Sequence, residues 1–237
     1  MMTKAPASKL SSSEVYEVLR RRILEHTLPP ATKINIQQLS KELGVSATPV
    51  REALRQLQGD NLLVGTSNKG YATTDVLDEK GVRALFEFRL LVEPWAARVA
   101  ASDSLRNPSG DLDREIKAFD PNFDSVRHAM IDHDSKFHLT ILGSTENTIV
   151  IDAYRRSHCH LHLFRMFGDE WDWRSSLAQH RAIQDAIARC DPDGAEEAMR
   201  YHLHQAYRGF AQSMPQAPEP GEPRAPSRAR MVPTVTP

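Results

Sequence analysis

The chain is poor in the features that mark secreted, membrane-spanning and nucleic-acid-coating proteins. Two cysteines among 237 residues, Cys159 and Cys190, are too few for a disulfide framework. No apolar run approaches the roughly 20 residues needed to cross a bilayer. The opening Met1-Met2-Thr3-Lys4-Ala5-Pro6 lacks the apolar stretch of a signal peptide. A cytoplasmic protein with free thiols and no membrane partner is the expectation. Charge of one sign is missing too. The formal net charge is −1, which argues against sequence-blind coating of nucleic acid. Large apolar residues are scarce beyond about Ser213, where Pro, Ala and Arg dominate, so the tail over 213–237 reads as disordered. Residues 1–10 read the same way.

What is present begins with the stretch from Gly44 to Leu57. Ser46 stands where it can cap a helix, and Pro49 falls in that helix's first turn, where a missing N–H costs little. Val50, Leu54 and Leu57 share one helical face, and Arg51 and Arg55 share another, one turn apart. One face is for a core and the other for an anion, which points to the second helix of a helix-turn-helix. Upstream, Ser11 and Glu14 have capping-box spacing before Val15, Val18, Leu19 and Ile23. Asn35 with Gln38 opens a further helix whose inward positions are Ile36, Leu39 and Leu43, and Gly44 permits the reversal after it. Downstream, Leu62-Leu63-Val64 and Tyr71-Ala72-Thr73-Thr74 flank Asn68-Lys69-Gly70, as two short strands of a wing with Lys69 at the tip. Residues 14–75 hold eight basic and seven acidic residues, so DNA affinity has to come from placement, with a dimer doubling the phosphate contacts.

Residues 80–212 read as almost wholly helical. A long helix carries Val82, Leu85, Phe86, Leu90 and Val92 and runs through the alanines to about Ser102. Further helices span roughly 111–118, 123–142, 146–167, 174–190 and 193–212, with breaks at Gly143, Gly168 and Asp191-Pro192-Asp193-Gly194. A bundle of six or seven helices is the simplest packing. Within it, Asp134 and His138 project from one face at i, i+4, and His180 and His202 stand on later helices. One carboxylate and three imidazoles suit a first-row divalent metal. The spacing alone leaves solvated or core-satisfied histidines open, because the chain has ten. His158 and His162 are one turn apart beside Cys159 and His160, and His204 is too far around its helix to share a metal with His202. Trp171 and Trp173 flank Asp172 before the His180 helix, either over a cavity or as packing at a helix junction.

Residues 14–75 resemble the winged-helix domain of the GntR family of bacterial transcription regulators. The likeness is carried by Val15 through Leu24, Leu28-Pro29-Pro30, Leu43-Gly44-Val45-Ser46 and Thr48-Pro49-Val50-Arg51-Glu52-Ala53-Leu54. It implies DNA contacts from Ser46, Thr48, Arg51, Arg55 and Lys69. Ala47 departs from the arginine usual after the capping serine. His26 and Ala31 replace usual glycines, and Asp60-Asn61 replaces an acidic-glycine pair. Residues 83–212 resemble the ligand-binding FCD domain of the FadR-type branch. Here the matching stretches are Phe86 through Pro94, Asp134 through His138, Glu146-Asn147, His180 through Ile187 and Ala198 through Leu203. That resemblance implies a metal, zinc, nickel or manganese, on Asp134, His138, His180 and His202. It also implies that Arg89 faces the same cavity and pairs with a carboxylate effector, against a plain surface salt bridge with Glu87 or Glu93.

The expected architecture is therefore mainly α. A winged helix-turn-helix with a small β wing spans 11–76, and an all-α ligand-binding and dimerisation bundle spans 80–212. The expected function is a transcription regulator, a repressor, working as a homodimer on double-stranded operator DNA and controlled by a small organic acid. One alternative is a DNA-binding dimer without an effector. Another is a metal-dependent hydrolase, although no His-Glu-x-x-His motif occurs and no general base stands beside the ligands in sequence.

Overall fold

The structure, a computed structural model, describes residues 10–66, 70–122, 126–166 and 172–213. The elements run α1 (Ser12–Leu24), β1 (Lys33–Ile34), α2 (Ile36–Leu43), α3 (Ala47–Gly59), β2 (Leu63–Thr66) and β3 (Gly70–Thr73). They continue with α4 (Glu79–Ser102), α5 (Ser109–Ala118), α6 (Val126–Gly143), α7 (Thr148–Ser157), α8 (Cys159–Phe164), α9 (Trp173–Ala188) and α10 (Pro192–Ser213).

Helix α1 starts on the capping box. Ser11 Oγ accepts from Glu14 N–H, and the Glu14 carboxylate accepts from Ser11 N–H at 2.7 Å. Asn35 caps α2 by accepting from the N–H groups of Gln37 and Gln38. Gly44, at φ 66°, ends α2 in the left-handed conformation and turns the chain into α3. Val15, Leu19 and Ile23 of α1, Leu39 of α2 and Val50, Leu54 and Leu57 of α3 close one core. Their spacing leaves the opposite face of α3 outward.

Strands β2 and β3 pair antiparallel, from Leu63 against Thr73 to Thr66 against Gly70. Lys69, the expected wing tip, lies outside the described residues. A third strand, unforeseen, lines the other side of β3, with Lys33 opposite Ala72 and Ile34 opposite Tyr71. Two residues are too few to show a period-two pattern.

Three departures from the usual glycines share one outcome. His26, Ala31 and Asn61 all take positive φ, at 57°, 53° and 57°. The loops keep the backbone path that glycine would follow and carry the steric cost of a Cβ there.

Helices α4 to α10 form the bundle. Ala96, Ala97, Ala100 and Ala101 of α4 share its core with Ala195, Met199 and Leu203 of α10, and with Phe137 and Ile141 of α6 and Ile183 and Ile187 of α9. The single helix expected over 146–167 is two. His158, at φ 46°, caps the end of α7 and the start of α8, and the chain bends there. No helix among the described residues is long and apolar enough to cross a membrane.

The head and the bundle touch through side chains from both. Leu24 packs with Met130, Ile131 and Phe164, and Leu161 reaches the head's own core. Arg165, 2% exposed, donates from Nη1 to Thr74 Oγ1 at 2.7 Å and from Nη2 to the Thr74 carbonyl at 2.6 Å. Its own carbonyl accepts from His26 Nε2 at 2.6 Å. A cleft of about 690 Å³ lies at this junction, with Tyr16 and Arg20 on one side and Lys136 and His160 on the other.

Candidate functional site

The outward face of α3 carries Thr48, Arg51 and Arg55, all exposed, and Ser46 is exposed at its start. Ser46 is the N-cap by position, yet its hydroxyl makes no capping bond, unlike Asn35. That differs from the capping role expected of it and leaves the hydroxyl uncommitted. Among the described residues, neither Arg51 nor Arg55 is engaged in an ion pair. Two cations are thus presented one turn apart on a face with no packing role. Ala47, one turn before Arg51, continues that stripe without a charge.

The second constellation is buried. Asp134 and His138 come from α6, His180 from α9 and His202 from α10. Their exposures are 7, 1, 0 and 3%. One ligand atom from each lies within 4.8 Å of all the others. Asp134 Oδ1 is 3.5 Å from His138 Nε2 and 3.3 Å from His180 Nε2. His180 Nε2 is buried without a hydrogen-bond partner, an expensive arrangement unless a ligand completes it. One carboxylate oxygen and three imidazole nitrogens form a borderline-soft set that fits a divalent first-row ion.

Each of the four candidate ligands meets a different residue on its far side. His138 Nδ1 lies 2.6 Å from Glu93 Oε2, a close ionic contact without hydrogen-bond alignment. His180 Nδ1 meets His133 Nε2 at 2.9 Å, and His202 Nδ1 donates to Gln179 Oε1 at 2.9 Å. Asp134 Oδ2 accepts from His160 Nδ1 at 2.5 Å. Outer partners of this kind fix ring orientation and tautomer in metal sites. Tyr154 spends its one proton on Glu93 Oε1 at 2.8 Å, so its oxygen accepts from His160 Nε2 at 3.0 Å. His160 therefore donates from both nitrogens.

The electrostatics follow from burial and neighbours. Burial pushes His180 down to about 4, and burial with the nearby His180 does the same to His133. Burial, with His180 and His138 beside it, holds His202 well below the ordinary value. Neutral rings of this kind keep a lone pair for a metal. Burial alone pushes the Asp134 carboxyl up, but His138 and His160 outweigh it and hold it well below the carboxylate range. Burial lowers His138, but the Glu93 and Asp134 carboxylates reverse the sign. A divalent cation held there would do the same electrostatic work between those carboxylates as the His138 proton, since metal binding displaces protons from its ligands. Burial lowers His160 too, yet Cys159 and Asp134 carry it up to about 10.

Arg89 is buried beside this centre. Its Nε and Nη2 grip Glu93 at 2.5 and 3.2 Å, and Nη2 is also 3.4 Å from His138 Nε2. The partner is Glu93 rather than Glu87, and the pair is interior rather than on the surface. Sequence reasoning does not reach three further residues here. Glu93 reads as a surface partner of Arg89. His133 stands next to Asp134 without a spacing that sets it apart. His160 lies between His158 and His162, and nothing in the sequence shows which of the three turns inward once α7 breaks at His158. His158 instead faces Asp60 of the head, 4.0 Å away. His204 is exposed. Trp173 stacks obliquely on Phe119, 5.3 Å between centroids, and Trp171 lies outside the described residues.

A winged-helix head joined to an all-helical domain with a buried carboxylate–imidazole centre defines a class: a ligand-responsive DNA-binding regulator. The chain belongs to the gntR family of bacterial regulatory proteins, whose model matches residues 11–72, while the FCD domain model matches residues 84–205. It is accordingly a DNA-binding transcription regulator with a small-molecule effector domain. An uncharacterized HTH-type transcriptional regulator of Bacillus subtilis, YdhC, is 24% identical, covering 81% of this chain and 87% of that protein. The Nta operon transcriptional regulator of Aminobacter aminovorans is 26% identical over 75% and 84% of the two chains. The galactonate operon transcriptional repressor of Escherichia coli is 28% identical over 68% and 79%. Two solved structures share the fold. A putative GntR regulator from Rhodococcus has a TM-score of 0.67 at 19% identity, covering 86% of this chain and 99% of that one. The E. coli protein McbR/YncC has 0.63 at 17%, covering 85% and 97%.

Proposed function

We propose that this protein is a repressor whose hold on operator DNA is released by a small organic acid seated at a divalent metal in the bundle. The observation that carries the reading is the buried Asp134–His138–His180–His202 set, in which each ligand has a dedicated outer partner and His180 Nε2 is left without one in the protein. Asp134 and the three imidazoles hold zinc, nickel or manganese. The ion supplies a Lewis-acid seat for a carboxylate, and Arg89, next to His138 and Glu93, supplies the positive partner for that carboxylate. The name of the galactonate repressor supports an acidic effector. In the head, Ser46, Thr48, Arg51 and Arg55 meet the major groove, and a homodimer places two such helices on a pseudo-palindromic site. Lys69 extends the contact from the wing. Binding of effector and of DNA must oppose each other reciprocally.

The test is titration of a labelled duplex from the gene's own upstream region against a scrambled duplex, repeated with galactonate and with other small carboxylates. The expected result is at least a 10³-fold preference, lost on adding one of the acids. Arg51→Ala should weaken the specific complex by roughly 1–3 kcal/mol. Equal, steeply salt-dependent binding to both duplexes contradicts operator recognition on the DNA tested. Specific binding that no carboxylate and no chelator alters contradicts effector control.

A further inference from the structure

We infer that His133 is a positioning residue for the metal, the middle member of a relay Glu115–His133–His180 that sets which nitrogen of His180 carries the proton. The inference deepens the metal reading above and rests on it. His180 can ligate through Nε2 only as the tautomer protonated at Nδ1. Among the described residues the acceptor placed at that Nδ1 is His133 Nε2, 2.9 Å away and buried. For Nε2 of His133 to accept, its own proton must sit on Nδ1. That atom is buried without a hydrogen bond and faces the Glu115 carboxylate at 3.7 Å.

The opposite arrangement is equally compatible with the heavy atoms. His133 then donates from Nε2 to His180 Nδ1, and His180 holds its proton on Nε2, 3.3 Å from Asp134 Oδ1. In that state the ligand nitrogen is blocked. The two states differ by moving one proton within each ring, with no change in net charge. Occupation by a metal selects the first state in both rings at once. Ring packing keeps the pair aligned in either state. The His133 and His180 centroids are 5.1 Å apart, and Phe137 stacks on His180 at 4.2 Å with an 8° interplanar angle. His133 in turn packs against Phe119, with 5.6 Å between centroids.

The experiment compares zinc affinity, by competition with a chelator, for the full-length chain and for His133→Phe and His133→Gln. Imidazole tautomers in the wild-type chain are read by nitrogen NMR with and without zinc. Phe keeps the ring volume and removes the acceptor, so zinc affinity should fall roughly 10- to 100-fold, the usual effect of an outer-shell loss. The Gln carbonyl can accept from His180 Nδ1 and should restore most of the affinity, which a merely structural role does not explain. The zinc-loaded wild type should show both His133 and His180 protonated at Nδ1. Wild-type binding with His133→Phe unchanged, or a zinc-loaded His133 protonated at Nε2, overturns the relay and leaves the metal site standing. A wild type that takes up no zinc, nickel or manganese overturns the metal reading and the relay with it. If His133→Phe does not fold, the wild-type tautomers decide.

Discussion

Ala31 shows how a single residue can hold a backbone conformation that suits glycine. It sits at φ 53°, has one methyl group and makes no side-chain bond to offset the strain. His26 and Asn61 are in the same conformation for better reasons, because His26 donates to the Arg165 carbonyl and asparagine tolerates the left-handed region. Ala31→Gly should relieve about 1–2 kcal/mol of strain and return part of it as unfolded-state entropy. The expected net gain is roughly 0.5–1 kcal/mol in urea unfolding, and a loss of stability contradicts the strain argument. The residue scale is also where the sequence was hardest to read. Arg51 and Arg55 declared themselves by spacing. Glu93 and His133 did not, since a buried carboxylate or imidazole has the same letter as an exposed one.

At the scale of elements, α6, α9 and α10 bring the candidate ligands to the centre, and burial gives the centre its pH dependence. His133 and His180 stand near 4 in the folded protein against an ordinary 6.5. Between those values the unfolded chain binds more protons than the folded one, so stability falls as pH drops through that window. His160 is raised, to about 10, so its contribution is already complete below 6.5 and does not change there. Asp134 and Glu93 are held below the usual carboxylate values and lose their contribution only at lower pH. The metal-free protein should therefore show a denaturation midpoint that declines steadily from about pH 6.5 to about pH 4. A flat or rising midpoint contradicts neutral, buried rings. Helix α8 is the element that sequence periodicity merged into its neighbour. Nothing in the letters of His158 announces a left-handed residue, and only the packing of Cys159, His160, Leu163 and Phe164 shows why the chain bends there.

At the scale of the whole molecule, the head and the bundle are joined where signals have to pass. Arg165 is buried and spends its guanidinium on the Thr74 hydroxyl and the Thr74 and Asp75 carbonyls, in the segment between β3 and α4. Among the described residues its Nε has no hydrogen-bond partner, and burial lowers its pKa. Such a residue is costly unless the contact it makes is needed. Arg165→Ala should remove those bonds, destabilise the chain by about 3 kcal/mol, and speed hydrogen exchange over residues 74–78 while leaving zinc affinity unchanged. Exchange that stays slow over 74–78 contradicts a clasp between the two units.

The sequence by itself determined the three helices of the head, because capping chemistry, helical spacing and a glycine at a left-handed turn are local and act within a few residues. It determined the all-helical character of the bundle for the same reason, and it pointed to Asp134, His138, His180 and His202 through family likeness rather than spacing. Only the tertiary structure decided which side chains stand behind those ligands, that Arg89 is clasped by Glu93 in the interior, and that Arg165 grips the joint. Those relations link residues up to 91 positions apart, and they depend on how whole helices cross. No local preference encodes a crossing, since it is settled by the packing of many side chains at once.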